Sequence, residues 1–134
     1  MTPIATFADA GRALTARLAE KILSIDASQL TPLAIAQAKM CFVDAIGVTL
    51  AGRVENATRI LLRTPGVATA PGRSLVFGTG IRTSALDAAL VNGTAAHALD
   101  YDDFSSIMGG HHTVPLLPPL IALEIGRASC RERV

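Results

Sequence analysis

Charge and aromatic rings are scarce in this chain. Charged residues make up 17% of its 134 positions, where an average soluble domain has roughly a quarter. Aromatics make up 4%, and tryptophan is absent. The net charge is +1 with no basic run, which excludes the electrostatic footprint of a nucleic-acid or anionic-membrane binder. Two cysteines, Cys41 and Cys130, are too few for a disulfide framework, so a reducing compartment is expected, the cytoplasm by default. No unbroken apolar run reaches the roughly 18 residues of a membrane span. The longest candidate, 33–52, is interrupted by Lys39 and Asp44, and no membrane partner is expected. Arg12 and Arg17 on an Ala-rich amphipathic pattern loosely resemble a transit peptide, which would direct a eukaryotic protein to the mitochondrial matrix. Asp9 and Glu20 argue against it, because such peptides are poor in acids.

With few rings available, the core is expected to consist of Ala, Leu, Ile and Val, which together suit closely packed helices. The chain is 50% hydrophobic, more than one small domain hides, so a partner subunit or further chain is expected to cover part of it. Periodicity predicts a mostly helical fold. Leu14, Leu18 and Ile22 recur on one face of a helix over 5–25. Thr31-Pro32 is a start signal, a capping Thr before a Pro at the first helical position, and Gly52 is placed to end that second helix. Asn56 is placed to cap a short third helix through position 62. Turns at Thr64-Pro65-Gly66 and Ala70-Pro71-Gly72 precede one short extended segment near 74–77. Ser84 and Asp87 resemble a capping box opening a helix over 85–99. Gly93 in its middle costs about 1 kcal/mol relative to Ala, which signals close approach of a backbone or a ligand. A loop over 105–110 and a last helix over 116–124, introduced by Pro115, Pro118 and Pro119, complete the reading.

The chemistry is concentrated in 92–118. All three histidines, His97, His111 and His112, lie there with Asp100, Asp102 and Asp103. His97 precedes Asp100 and Tyr101 by three and four positions, which on a helix shares a face. A carboxylate beside an imidazole raises its pKa and orients it, as a general acid or base requires. The blander alternative is a structural histidine near a helix end, with Asp102 and Asp103 solvating or capping the next turn. A metal site built from His97, Asp100, His111 and His112, as in a metal-dependent hydrolase, is a rival, although no His-Glu-x-x-His motif or calcium loop is present. Gly78-x-Gly80 lacks the rest of a nucleotide loop, and Cys41 in its apolar stretch reads as core.

Residues 125–134 change character, with Arg127, Arg131 and Arg133 in seven positions. This string resembles a reading frame through a sequencing adapter. The expectation is therefore a partial helical domain over 1–124 and a non-native tail over 125–134.

Three stretches together resemble the MmgE/PrpD family in its N-terminal helical domain. Asp44-Ala45-Ile46-Gly47 and Leu50-Ala51-Gly52 are similar to the family's Leu-Asp-x-Leu-Gly-x-x-Leu-Ala-Gly pattern. Asn92-Gly93-Thr94-Ala95-Ala96-His97 leads into Asp100-Tyr101-Asp102-Asp103, and Gly110-His111 leads into Val114-Pro115-Leu116-Leu117-Pro118. The resemblance implies an all-α domain, a smaller α/β domain elsewhere in the whole protein, and a homodimer. It implies a lyase acting on di- or tricarboxylic acids by proton abstraction next to a carboxylate, without metal or organic cofactor. The family's 2-methylcitrate dehydratases, which serve propionate catabolism, are the nearest expectation; cis-aconitate decarboxylase and epimerase are alternatives, and a non-catalytic helical interaction domain is another.

The resemblance makes Asp100 and His111 the catalytic candidates. His97, Tyr101, Asp103, Phe104 and His112 are supporting or substrate-binding candidates. Phe104 stands where the family often has Thr, which points to a different substrate, and His112 stands where the family often has Pro, its role left open. Further catalytic groups of the family come from chain beyond 124, so residues 1–124 alone are expected to be inactive. Arg73 and Arg82 are candidate cations for the substrate by sequence proximity only.

Overall fold

The computed structural model describes residues 7–107 and 109–131. The chain divides into two units, one ending at Ala36 and the other starting at Gln37. In the first unit, helix α1 covers Phe7–Leu23. The expected helix began at residue 5, which lies outside the described residues. Leu14, Leu18 and Ile22 share a face as predicted, and all three are exposed. After α1, Asp26 and Gln29 form a capping box around a short 3-10 turn, Ala27–Gln29. The Ser28 hydroxyl and N–H both donate to Asp26, and these bonds hold its carboxyl below the usual aspartate range. The Thr31 hydroxyl then accepts from the Ala34 N–H at 3.1 Å and opens α2, Pro32–Gly52. Its 21 residues are long and apolar enough to cross a membrane by length and composition, a test that the core helix of a globular domain also passes.

In the second unit, the buried face of α2 runs through Ala45, Thr49 and Gly52. Helix α2 ends at Gly52 as expected, and the glycine has a packing role as well. A Cβ there would lie 1.9 Å from the Ala95 carbonyl oxygen, so the glycine lets the end of α2 meet the backbone of a later helix. Helix α3, Asn56–Arg63, follows at once. Its N-cap is Glu55, with no side-chain cap bond, and Asn56 is already helical, which corrects the predicted capping role. The buried Thr58 hydroxyl donates to the Gly52 carbonyl at 2.9 Å and ties α3 to the end of α2.

Strands β1, Ser74–Leu75, and β2, Arg82–Thr83, pair antiparallel where a single extended segment was expected. Helix α4, Ala85–His97, opens with the Ser84 hydroxyl accepting from the Asp87 N–H at 3.1 Å. The Asp87 carboxylate accepts from Thr83. Buried Asn92 clamps the hairpin onto α4: its Oδ1 accepts from the Phe77 N–H and its Nδ2 donates to the Leu75 carbonyl, both at 2.9 Å. Asn92 thereby satisfies backbone groups that so short a ladder leaves open. The predicted 105–110 loop is instead a second hairpin, β3 (Phe104–Ser105) against β4 (Gly110–His111). Gly109, at φ +69°, closes it with its N–H donating to the Ser105 carbonyl at 2.7 Å.

Helix α5 covers Thr113–Arg131, longer at both ends than the predicted 116–124. It packs along α4 more extensively than any other pair of described elements. The Ser74 hydroxyl joins β1 to it through the Ala122 carbonyl at 2.9 Å. Apart from Pro118, the buried apolar core among the described residues is Ala and Val: Ala45, Val76, Ala88, Val91, Ala95, Ala96, Val114 and Ala122. The Leu and Ile expected in it lie outside, and many are exposed. Small side chains on α4 let its neighbours approach closely, and the larger apolar groups face outward.

Candidate functional site

Helix α4 delivers His97 in its last turn, and the chain then leaves the helix. Ala98 caps it, and Asp100 adopts a left-handed backbone at φ +55°. The helical spacing that put His97, Asp100 and Tyr101 on one face therefore does not persist. Tyr101 is 74% exposed, with no described partner. The turn brings in Asp102, which helical spacing passes over. Its side chain is fully buried, and its Oδ1 lies 2.9 Å from His97 Nδ1. Hydrogen bonding to Asp102, and then its charge with that of Asp100, raise the His97 pKa above the ordinary histidine value. The last turn of a helix also favours a cation.

The second hairpin brings His111 to the other side of the same carboxylate. His111 Nδ1 lies 3.0 Å from Asp102 Oδ2 and 3.2 Å from the Asp102 carbonyl oxygen. The hydrogen bond goes to the carbonyl, which leaves buried Oδ2 without one of good geometry. His111 Nε2 faces the exposed Asp100 carboxylate at 3.4 Å. The His97 and His111 rings meet edge to face with centroids 4.8 Å apart. Phe104, the cross-strand partner of His111, also meets the His111 ring in a T-shaped contact, with centroids 5.4 Å apart.

The remaining candidates separate into other roles. Asp103 accepts from the N–H and the hydroxyl of Thr113, which anchors the start of α5 to the acidic turn. His112 points away from the cluster and lines a separate apolar cavity with Cys41 and Phe42, its Nε2 buried and without a hydrogen bond. It therefore takes no part in the ligand set suggested for a metal. Ligand atoms of His97, Asp100, Asp102 and His111 do lie within 4.8 Å of one another, a spacing that a divalent cation also tolerates. Arg82 donates to the Arg73 carbonyl on the first hairpin, and neither arginine lines the histidine cavity.

That cavity, about 940 Å³, is walled by small and apolar residues of α3, α4 and α5, with His97, Asp102 and His111 at its polar end. Gly93 lies on its wall, and a Cβ there would meet nothing within 4 Å. The expected close approach at Gly93 is thus open space, not backbone. Such a cavity, apolar with convergent titratable groups, suits a small molecule that gains or loses a proton. Asp102 left no signal in the sequence beyond its proximity, because its pairing depends on one left-handed residue.

Comparison with curated proteins found no match, and neither did comparison with solved structures. A protein-family model described as the MmgE/PrpD N-terminal domain matches residues 16–128.

Proposed function

Because the chain belongs to the MmgE/PrpD family through this N-terminal domain, we propose that its cavity is part of a lyase site for di- or tricarboxylic acids, with 2-methylcitrate as the first candidate. The observation that supports this reading most is the pairing of His111 Nε2 with Asp100 at 3.4 Å beside the cavity. In the proposed reaction, a base removes the proton on the carbon next to a carboxylate. An acid protonates the departing hydroxyl on the neighbouring carbon, so that water leaves and an alkene forms. His111 and Asp100 are two groups that exchange protons in this scheme. Phe104 gives the His111 side of the site an apolar surface, which suits an alkyl-substituted acid.

Cations for the substrate carboxylates, and the partner subunit of a homodimer, belong to the whole protein in this proposal. The test uses the whole protein. It should convert 2-methylcitrate to the dehydrated alkene, and His111→Asn should lower kcat by about a hundredfold or more. Conversion of cis-aconitate with loss of carbon dioxide would instead select the decarboxylase alternative. Activity abolished by a chelator and restored by zinc would overturn the proposal in favour of a metal-dependent enzyme.

A further inference from the structure

We propose that Asp102 is a positioning residue that holds His97 and His111 by their Nδ1 atoms, fixing both rings with the proton on Nδ1 and Nε2 left for proton exchange. The inference rests on reading the cavity as a proton-transfer site and assigns a role to a residue that the family resemblance does not single out.

Three observations carry it. First, the Asp102 side chain is fully buried between the two rings, with Oδ1 at 2.9 Å from His97 Nδ1 and Oδ2 at 3.0 Å from His111 Nδ1. A carboxylate only accepts hydrogen bonds, so the Oδ1 bond sets His97 Nδ1 as a donor, while Oδ2 stands at ion-pair distance from His111 without a hydrogen bond. Second, His111 Nδ1 also faces the Asp102 carbonyl oxygen at 3.2 Å, an acceptor in every protonation state. In neutral His111, Nε2 is then the lone-pair nitrogen, the form in which an imidazole acts as a base. Third, the His111 ring packs in T-shaped contacts against two other rings, His97 at 4.8 Å and Phe104 at 5.4 Å. Among the described residues its other charged neighbour is Asp100, whose Oδ1 lies 3.4 Å from Nε2.

The arrangement therefore orders three groups in series. Asp102 fixes the ring, Nε2 of His111 carries the exchangeable proton, and exposed Asp100 lies where it can receive or return it. His97 shares the same carboxylate from the end of α4, so a change at Asp102 acts on both rings together. Asp102 would take no proton from substrate and act only through the imidazoles.

The experiment is nitrogen NMR of the histidine rings in the 134-residue chain without substrate, in the wild type and in Asp102→Asn. In the wild type, both neutral rings should show a protonated Nδ1 and an unprotonated Nε2. In folded Asp102→Asn, the His97 midpoint should fall. In the whole lyase, kcat should drop about a hundredfold or more with KM nearly unchanged. A protonated Nε2 on neutral wild-type His111 would overturn the proposal and needs no variant to be observed. An unmoved His97 midpoint in folded Asp102→Asn would overturn it as well. Both spectra are taken without substrate, so their failure leaves the lyase reading standing. A folded lyase inert to carboxylic acids would sink that reading with the spectra unchanged.

Discussion

His97 donates Nδ1–H to a buried carboxylate while 54% of its own side chain stays exposed. Its pKa lies above the ordinary 6.5, chiefly through the bond to Asp102. Protonation therefore strengthens the folded state. That contribution is complete below about pH 6.5, the unfolded value, and disappears as pH rises through the raised folded midpoint. Exposure keeps it small, because water screens the pair. Proton NMR should place the His97 midpoint above 6.5, and a midpoint at or below that value would contradict the pairing. At this scale the sequence located the cluster but not its geometry. The density of His and Asp over 92–118 is plain in the chain. The choice of Asp102 over Asp100 as the partner of His97 is not, because it depends on α4 ending at His97 and on the positive φ of Asp100. His112, adjacent to His111 in sequence, lies just past β4 and lines a separate cavity.

Two glycines on packed helices have opposite roles, and element stability should report it. At Gly52 a Cβ would collide with the α4 backbone at 1.9 Å, so Gly52→Ala must separate α2 from α4. A cost of about 1–3 kcal/mol is expected, read as a lower thermal midpoint. At Gly93 nothing lies within 4 Å, and the added methyl enters the cavity. Gly93→Ala should stabilise α4 by up to about 1 kcal/mol and weaken binding of a carboxylic acid to the whole enzyme. Equal thermal midpoints for the two variants would contradict this account. Helix starts were legible where a cap is local, as at Thr31 and Ser84, whose side chains bond within three residues. The start of α5 was not, because Asp103 holds Thr113 from ten positions upstream. The hairpins escaped notice for a related reason: strands of two residues carry no alternation to read.

Across the whole molecule, Ala and Val fill the interior while large apolar side chains such as Leu33, Val43, Leu86 and Leu116 stand more than 60% exposed. Composition predicted this excess, although it could not say that Leu and Ile, rather than Ala, would be the outer groups. The 134-residue chain should bind a hydrophobic dye and sediment above its 13.9 kDa monomer mass. A dye-silent, monodisperse monomer would contradict the picture of an uncovered apolar exterior. Helical class and family were legible from periodicity and from the motifs around Gly52, Gly93 and His111. Substrate chemistry was legible only as an implication of that family. The central claim is that this cavity moves a proton next to a carboxylate, and its most direct test is proton NMR of 2-methylcitrate in D2O with the whole protein. The account predicts that the signal of the proton next to the carboxylate is lost as the dehydrated alkene appears, and that His111→Asn abolishes both changes. A folded protein that leaves that proton untouched, or a His111→Asn variant as fast as the wild type, would contradict it.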